Sequence, residues 1–171
     1  MNAHSFHGSN GTLTLDLGWK GAFQTLKFVG GPYDKFPGRD VAFGVCVRAE
    51  RVKKDSFDVQ VPIADFGVPT NDTLVRKALG SAFEAALAGR PVYVGCMGGF
   101  GRTGLFLALV AKAAGVSDPV QFVRDRYYPS AVETKAQEAY VAAFVVGDLR
   151  SALLRASWRA RIRKLLPFWQ W

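Results

Sequence analysis

The chain has 171 residues, of which 49% are hydrophobic and 13% aromatic. These values are typical of a single globular domain and exclude a disordered chain. The formal net charge of +8 favours anionic partners, and substrate phosphates, nucleic acid and membrane headgroups all fit it. Two cysteines, Cys46 and Cys96, are too few for a disulfide framework, so a reducing compartment is expected.

The start of the chain shows no targeting signal. Residues 1–15 contain neither the basic region nor the apolar region of a signal peptide. No uninterrupted apolar stretch reaches the ~18 residues that a membrane span requires. We therefore expect a cytoplasmic protein.

Short apolar runs typical of β-strands dominate the first third of the chain. Four such runs are predicted as strands: residues 12–17, 23–29, 41–47 and 57–61. The last alternates apolar and polar residues, as a half-buried strand does. The segment 30–40, rich in glycine and proline, is predicted to be a surface loop.

The second half of the chain is predicted to be mainly helical. Residues 70–89 carry apolar side chains at helical spacing and end at Gly89, a suitable helix stop. The segment "PVYVG" (91–95) is predicted as a short buried strand, and a further helix is expected to begin at about Gly101.

Two more helices are predicted from their start signals. Asp118 followed by Pro119 is typical of a helix N-terminus. Ser130 with Glu133 three residues later has the spacing of a capping box and predicts a helix from there. The order of elements favours a single α/β domain with a central, mostly parallel sheet flanked by helices. Ligands of such sheets bind beyond the carboxyl ends of the strands, where Cys96 is expected.

The segment "CMGGFGRTG" (96–104) has the composition of an anion cradle. It links a strand to a helix N-terminus, where backbone N–H groups lack partners and the helix dipole favours negative charge. Glycines at 98, 99 and 101 allow successive N–H groups to point inward. The same field favours a thiolate at Cys96, and Arg102 offers a guanidinium matched to two phosphoryl oxygens.

Cys96, five intervening residues, Arg102 and Thr103 resemble the signature of the cysteine-dependent protein tyrosine and dual-specificity phosphatases, and "GFGRTG" resembles the dual-specificity branch in particular. The resemblance extends over roughly residues 40–145. It implies the phosphatase-type α/β fold and hydrolysis of phosphate monoesters through a phosphocysteine intermediate, without metal or other cofactor. It also implies that the phosphate is bound by residues 97–102, which are Met97, Gly98, Gly99, Phe100, Gly101 and Arg102.

Further roles follow from the same resemblance. "VPIADFGVP" is similar to the family's acid loop and implies that Asp65 is the general acid. "AVETKAQEAYV" is similar to a segment that places a glutamine over the attacking water, here Gln137. Thr103 would donate a hydrogen bond to the departing thiolate. One position departs from the pattern: the family usually has histidine before the cysteine, where this chain has Gly95.

Several alternatives stay open at this point. A catalytically weak or inactive pseudo-phosphatase, acting as a phosphate-binding interaction module, would keep the same cradle. Cys46 is interpreted as a packed strand residue, with a protective Cys46–Cys96 disulfide as the alternative. A Walker-type nucleotide loop does not fit, because its glycine and lysine are replaced by Cys96 and Arg102. His4 and His7 lack further ligands, so no metal site is assigned.

The end of the chain is strongly basic. Residues 148–171 contain six basic residues and one acidic residue, and several tryptophans. We interpret residues 1–147 as the catalytic domain and 148–171 as a basic C-terminal helix or tail. This helix either covers the core or offers a surface for an anionic membrane or a protein partner, with nucleic acid less favoured.

The substrate is predicted to be a phosphorylated protein. Residues 97–101 contain no lysine or arginine, whereas sites for highly charged inositol phosphates usually bring additional positive charge to this loop. Phosphotyrosine, phosphoserine and phosphothreonine are not distinguished by the sequence. A 5′-phosphate on RNA stays open because the chain is basic.

Overall fold

Five strands form one mixed sheet within the residues that the computed structural model describes, 11–19, 22–53 and 56–165. The strands are β1 (Gly11–Trp19), β2 (Ala22–Pro32), β3 (Phe43–Cys46), β4 (Val59–Gln60) and β5 (Val92–Cys96). Their order across the sheet is β1-β2-β5-β3-β4, with only the β1–β2 pair antiparallel. The expected mostly parallel sheet, with β5 at its centre, is therefore confirmed.

Five α-helices accompany the sheet in the same described residues. They are α1 (Asp72–Leu87), α2 (Gly101–Ala114), α3 (Pro119–Arg126), α4 (Lys135–Ala143) and α5 (Gly147–Leu165). A single 3-10 turn at Tyr33–Lys35 follows β2. Side chains are described at 11–13, 25–53 and 56–156. His4, His7 and the side chains from residue 157 onward, which include most of the predicted basic C-terminal segment, lie outside these ranges.

Predicted start or stop signals act as expected in three helices. Helix α1 also has an N-cap that was not predicted: the Asn71 side chain accepts a hydrogen bond from the Leu74 N–H at 2.9 Å. Asp118 caps α3 in the same way, with Pro119 in its first turn. Gly89 after α1 has the left-handed φ that a helix end requires, +84°. The helix predicted from Gly101 begins there.

The predicted start of α4 at Ser130 is wrong. The helix begins at Lys135, and Thr134 is its N-cap, with Oγ1 accepting a hydrogen bond from the Gln137 N–H at 3.2 Å. The Gln137 side chain returns to the Glu133 N–H at 2.9 Å. Thr134 and Gln137 thus form an arrangement similar to a capping box, four residues later in the chain than the predicted pair Ser130 and Glu133. Val132, with φ +58°, prevents the helix from extending back to Ser130.

Alternation along β3 and β5 sends their side chains to two different faces of the sheet. Val45 is paired with Val94, and both lie in the main hydrophobic core together with Cys96. Cys46 is paired with Gly95, so its side chain lies on the opposite face from that of Cys96. Helix α2 is buried along nearly its whole length, which explains its continuous apolar sequence.

Helix α5 packs against the domain through its first turns. Leu153 is buried in the core, and Arg76 of α1 forms an ion pair with Asp148 at 2.8 Å between Nη1 and Oδ1. The helix begins at Gly147, at the boundary predicted for the C-terminal segment. In the part of the chain that the structure describes, no single helix has the length and apolar composition of a membrane span; only α2 and α3 together reach it, as a pair bent by 120°.

Candidate active site

Cys96 lies where β5 ends and the connection to α2 begins. Its side chain is only 3% exposed, and its Sγ accepts a hydrogen bond from the Gly99 N–H at 3.2 Å. The loop 96–101 therefore curls around the sulfur and directs backbone N–H toward it. Since the N-terminus of α2 follows directly, its free N–H groups and the positive end of its dipole face the same point.

Gly99 is the position where the loop requires glycine. Its φ of +84° is left-handed, and a Cβ there would lie 2.5 Å from the carbonyl carbon of Gly31. The loop is thus pressed against the end of β2. Tyr127, which follows α3, donates a hydrogen bond from its hydroxyl to the Gly99 carbonyl oxygen. Gly99 is thus held through its carbonyl as well as through its N–H.

Thr103 is fully buried in the first turn of α2. Its Oγ1 accepts a hydrogen bond from the Cys96 N–H at 3.0 Å. The Thr103 hydroxyl therefore connects the first residue of the loop to α2, the helix that follows the loop. Its own proton stays available for an acceptor near Cys96.

Arg102 is 3% exposed and has a carboxylate on each side. Its Nη1 donates to both carboxylate oxygens of Glu50, at 2.9 and 2.8 Å, and to the Ile63 carbonyl oxygen at 3.1 Å. Its Nη2 lies 2.9 Å from Oδ1 of Asp65. The guanidinium is thus held in one orientation by contacts to the segments after β3 and β4.

Glu50 is shared by two arginines. Arg48, which is 4% exposed, donates from Nε to Glu50 at 3.1 Å, and its guanidinium lies 4.1 Å above the Tyr33 ring. Burial opposes the charge of Glu50, but a backbone hydrogen bond and those from Arg102 and Arg48 lower the pKa of its carboxyl. The sequence interpretation missed Glu50. The sequence feature that could have identified it is its position just after β3. The carboxyl ends of β3 and of β5, which carries Cys96, lie at the same end of the parallel strands.

The predicted acid loop lies over this edge of the sheet. Asp65 is 62% exposed as a side chain, which leaves it able to exchange protons with solvent. Phe66 has a left-handed φ of +55°, and its carbonyl oxygen accepts from Thr134 Oγ1 at 3.3 Å. The loop is therefore connected to the segment before α4.

Gln137 is used as a structural connection. It is fully buried, its Oε1 accepts from the Glu133 N–H at 2.9 Å, and its Nε2 donates to the Gly67 carbonyl oxygen at 3.0 Å. Both ends of the amide thus connect the start of α4 to the acid loop. The water-positioning role that the resemblance implies for Gln137 stays a prediction.

The residue of this segment that reaches the cradle is Glu133. Its Oε2 lies against Gly101, 1.7 Å from the point where a Cβ on residue 101 would be. Burial, and next the nearby Asp65, raise the pKa of Glu133, against the opposing effects of Arg102 and the Gly101 N–H. The sequence interpretation assigned Glu133 to the capping of α4. Had the capping residues been taken as Thr134 and Gln137, Glu133 would have had no capping role and would have been a candidate site residue.

Gly95 has no room for a side chain. A Cβ there would lie 2.9 Å from Cα of Tyr33 and 3.3 Å from its backbone nitrogen. The histidine that the family usually has is therefore excluded by the backbone of the turn after β2. The other face of the sheet holds Cys46, whose pKa burial raises. Both cysteines are free, and their opposite faces contradict the Cys46–Cys96 disulfide alternative.

Several side chains on and beside the loop are apolar or aromatic. Met97 is 52% exposed and Phe66 is 61% exposed. The Phe100 and Tyr128 rings pack together with centroids 4.3 Å apart. Within the described ranges, no group of three or more histidine, cysteine, aspartate or glutamate side chains could hold a metal ion.

Comparison with solved structures shows the same fold in cysteine phosphatases. The active form of Tk-PTP matches with a TM-score of 0.56 and 24% identity, over 69% of this chain and 89% of that one. Kinase associated phosphatase matches with a TM-score of 0.55 and 18% identity, over 88% and 98%. The Trypanosoma brucei protein tyrosine phosphatase TbPTP1 matches with a TM-score of 0.56 and 15% identity, over 87% and 76%. These likenesses define a protein with the phosphatase-type α/β fold.

Sequence comparison gives the family. Residues 31–167 match the profile of the tyrosine phosphatase family, and the chain belongs to it. Two uncharacterized proteins of Methanocaldococcus jannaschii are 40% and 38% identical over 85 residues, half of this chain. The chain matches 57% and 53% of the length of these curated relatives.

Proposed function

We propose that this protein is a phosphoprotein phosphatase of the tyrosine or dual-specificity type, which hydrolyses phosphate monoesters through a phosphocysteine intermediate. The observation that carries the proposal is the setting of Cys96. Its Sγ is held by the Gly99 N–H at the N-terminus of α2, and the fork of Arg102 is fixed by Glu50 beside it. A nucleophile and an anion site share one loop.

In the first step, the Cys96 thiolate attacks phosphorus in line with the ester oxygen. An S–P bond forms, the P–O bond to the alcohol or phenol breaks, and Asp65 gives its proton to the leaving oxygen. The loop N–H groups and Arg102 bind the three remaining phosphoryl oxygens. Asp65 forms an ion pair with Nη2 of Arg102 in the free protein. Phosphate must therefore replace Asp65 at this nitrogen before the attack of Cys96.

In the second step, water attacks the phosphorus of phosphocysteine. Asp65, now a carboxylate, accepts a proton from the water, the S–P bond breaks, and inorganic phosphate leaves. The Thr103 hydroxyl donates to the thiolate that forms, since its oxygen already accepts from the Cys96 N–H. Every proton in this cycle is handled by side chains of the chain itself.

A phosphorylated side chain of a protein is the substrate class that the surroundings of Cys96 favour. Met97, Phe66 and the packed Phe100–Tyr128 pair offer apolar surface to the group that carries the phosphate. Residues 97–101 bring no additional cation for a second phosphate. An aromatic ester such as phosphotyrosine would gain most from this surface.

The test is hydrolysis of para-nitrophenyl phosphate in the presence of a metal chelator. Cys96→Ser should abolish turnover, while Cys46→Ser, on the other face of the sheet, should retain it. With an alkyl phosphate as a second substrate, Asp65→Asn should lower kcat by about 100-fold, which is within the range of general acid catalysis. Asp40→Asn is the matched control, because Asp40 is also exposed.

Acid-quenched wild type should carry one additional phosphate on the peptide containing Cys96, detected by mass spectrometry. Turnover that survives Cys96→Ser would contradict the mechanism. Folded protein that binds tungstate but turns over no ester would instead indicate a phosphate-binding interaction module.

A further inference from the structure

The carboxylate of Glu133 lies against Gly101, the first residue of α2 and a member of the loop proposed to bind phosphate. Asp65 and Arg102 are its charged neighbours. Its Oε2 lies 1.7 Å from the point where a Cβ on residue 101 would be. Glycine at 101 therefore makes this position of the carboxylate possible, and any other residue there would exclude it.

The segment that carries Glu133 is held by contacts of its own. Val132 has a left-handed φ of +58°. Arg124 of α3 donates from Nε to the Ala131 carbonyl oxygen at 3.0 Å and from Nη2 to that of Val132 at 2.9 Å. Gln137 accepts from the Glu133 N–H at 2.9 Å. The backbone before α4 is thus fixed at a point from which the Glu133 side chain reaches α2.

Charged groups face this carboxylate from two elements. Asp65 approaches from the acid loop and Arg102 from α2. On its own segment, the next cation, Lys135, is paired with Glu138 at 2.8 Å. A phosphate dianion that entered with Glu133 and Asp65 in place would join three carboxylates around a single guanidinium, because Glu50 is also bonded to Arg102.

We infer that Glu133 is the resident anion of the cradle, which an incoming phosphate must displace, so that this residue limits the affinity of the site for phosphate and makes that affinity depend on pH. The inference rests on the proposed function, because it takes the loop 96–102 as the phosphate site. Glu133 is exposed to solvent, which gives the displaced side chain a direction in which to move.

The direction of the pH dependence follows from which protonation state of Glu133 competes with the bound dianion. The ionised carboxylate repels a dianion, whereas the protonated form does so only weakly. Affinity for a dianion should therefore fall as pH rises through the ionisation of Glu133. Because its pKa is raised, this ionisation lies above the ordinary glutamate value of about 4.3.

The experiment is calorimetric titration of the whole chain with tungstate, a phosphate-shaped dianion, between pH 5 and pH 8. Glu133→Gln and Glu133→Ala are compared with wild type, and Glu84→Gln, an exposed glutamate on α1, is the control for the loss of one negative charge. Asp65→Asn is titrated in parallel, so that the contribution of the second carboxylate is measured separately.

We expect both Glu133 variants to bind tungstate about 10-fold more tightly than wild type at pH 7, the scale of one displaced charged contact. The difference should shrink toward pH 5, and Glu84→Gln should match wild type at every pH. Equal affinity of Glu133→Gln and wild type at pH 7, weaker binding by Glu133→Ala, or a difference that does not change with pH would each overturn the inference.

The two proposals fail in distinguishable ways. Tighter tungstate binding by the Glu133 variants, in a protein without esterase turnover, would support the resident anion and contradict the phosphatase mechanism. Normal turnover with unchanged tungstate affinity would overturn the resident anion alone. Absence of tungstate binding in every variant would overturn both.

Discussion

Arg102 owes its orientation to residues that come from distant parts of the chain. Glu50 accepts from its Nη1 through both carboxylate oxygens and is itself held by Arg48. A guanidinium that is already oriented loses less conformational freedom when it binds two phosphoryl oxygens. The buried Arg48 thereby acts on the phosphate site through Glu50, without lying in the cradle.

Gly95 shows how a single residue can differ from the family pattern for a steric reason. A Cβ at this position would lie 2.9 Å from the Cα of Tyr33. The Tyr33 ring in turn lies under the Arg48 guanidinium. The chain has thus packed the turn after β2 into the space that a histidine side chain would need.

Gly95→Ala should therefore lower the free energy of unfolding by about 1–3 kcal/mol, the usual effect of overpacking. This corresponds to a decrease in Tm of roughly 2–4 °C per kcal/mol for a chain of this length. Gly80→Ala is the matched control: Gly80 lies inside α1 with nothing within 4 Å of its Cβ, so alanine should stabilise the helix by about 1 kcal/mol. Gly95→Ala as stable as wild type in urea unfolding would contradict the steric explanation.

At the scale of elements, the start of α4 and the acid loop behave as one connected unit. Gln137 donates to the Gly67 carbonyl oxygen and accepts from the Glu133 N–H, and Thr134 donates to the Phe66 carbonyl oxygen. The cap of a helix is thus also the support of the loop that carries Asp65. A change inside this connection should affect stability and catalysis together.

Gln137→Leu should destabilise the protein by about 1–3 kcal/mol, because it removes a buried amide whose two ends bond the part-buried backbone groups of Gly67 and Glu133. It should also lower kcat through a misplaced Asp65, with the loss greater for alkyl than for aryl phosphates, which need less protonation of the leaving group. The readouts are urea unfolding and kcat for both kinds of ester. Gln121→Leu on the exposed surface of α3 is the control. Slower turnover without any loss of stability would instead favour a water-positioning role for Gln137.

At the scale of the whole molecule, α5 extends the domain beyond the boundary predicted at residue 147. Leu153 is buried with residues of α1 and α2 in the core, and Asp148 pairs with Arg76. The family match also continues to residue 167. The first half of the predicted tail therefore belongs to the packed domain. Binding of a membrane or a protein partner by the basic end stays a prediction.

Leu153→Ala should destabilise the protein by about 2–4 kcal/mol, the usual result of truncating a buried leucine. The chemistry should be unaffected, since Leu153 belongs to the hydrophobic core and is assigned no role in the proposed mechanism, so kcat/KM per folded molecule should equal that of wild type at low temperature. Ser151→Ala, at an exposed position of the same helix, should leave Tm unchanged. A Tm of Leu153→Ala equal to that of wild type would show that α5 does not contribute to the core.

The sequence by itself determined the parts of this protein that depend on neighbours along the chain. The helix caps at Asn71 and Asp118, the order of strands and helices, and the glycine-rich loop around Cys96 with Arg102 six residues later are all local patterns. Backbone conformation, capping and the spacing across a loop act within a few residues, so they can be read directly. The α/β class followed from their order.

Only the tertiary structure decided which distant residues meet the loop. Glu50 lies 46 residues before Cys96 and Glu133 lies 31 residues after Arg102, and their contacts depend on the sheet order and on the left-handed Val132. The capping-box spacing occurs twice in residues 130–137, and local signals gave no reason to prefer the second. Packing against the acid loop settled that choice, turned Gln137 inward, and left Glu133 facing the phosphate cradle, because a buried amide must satisfy both of its ends.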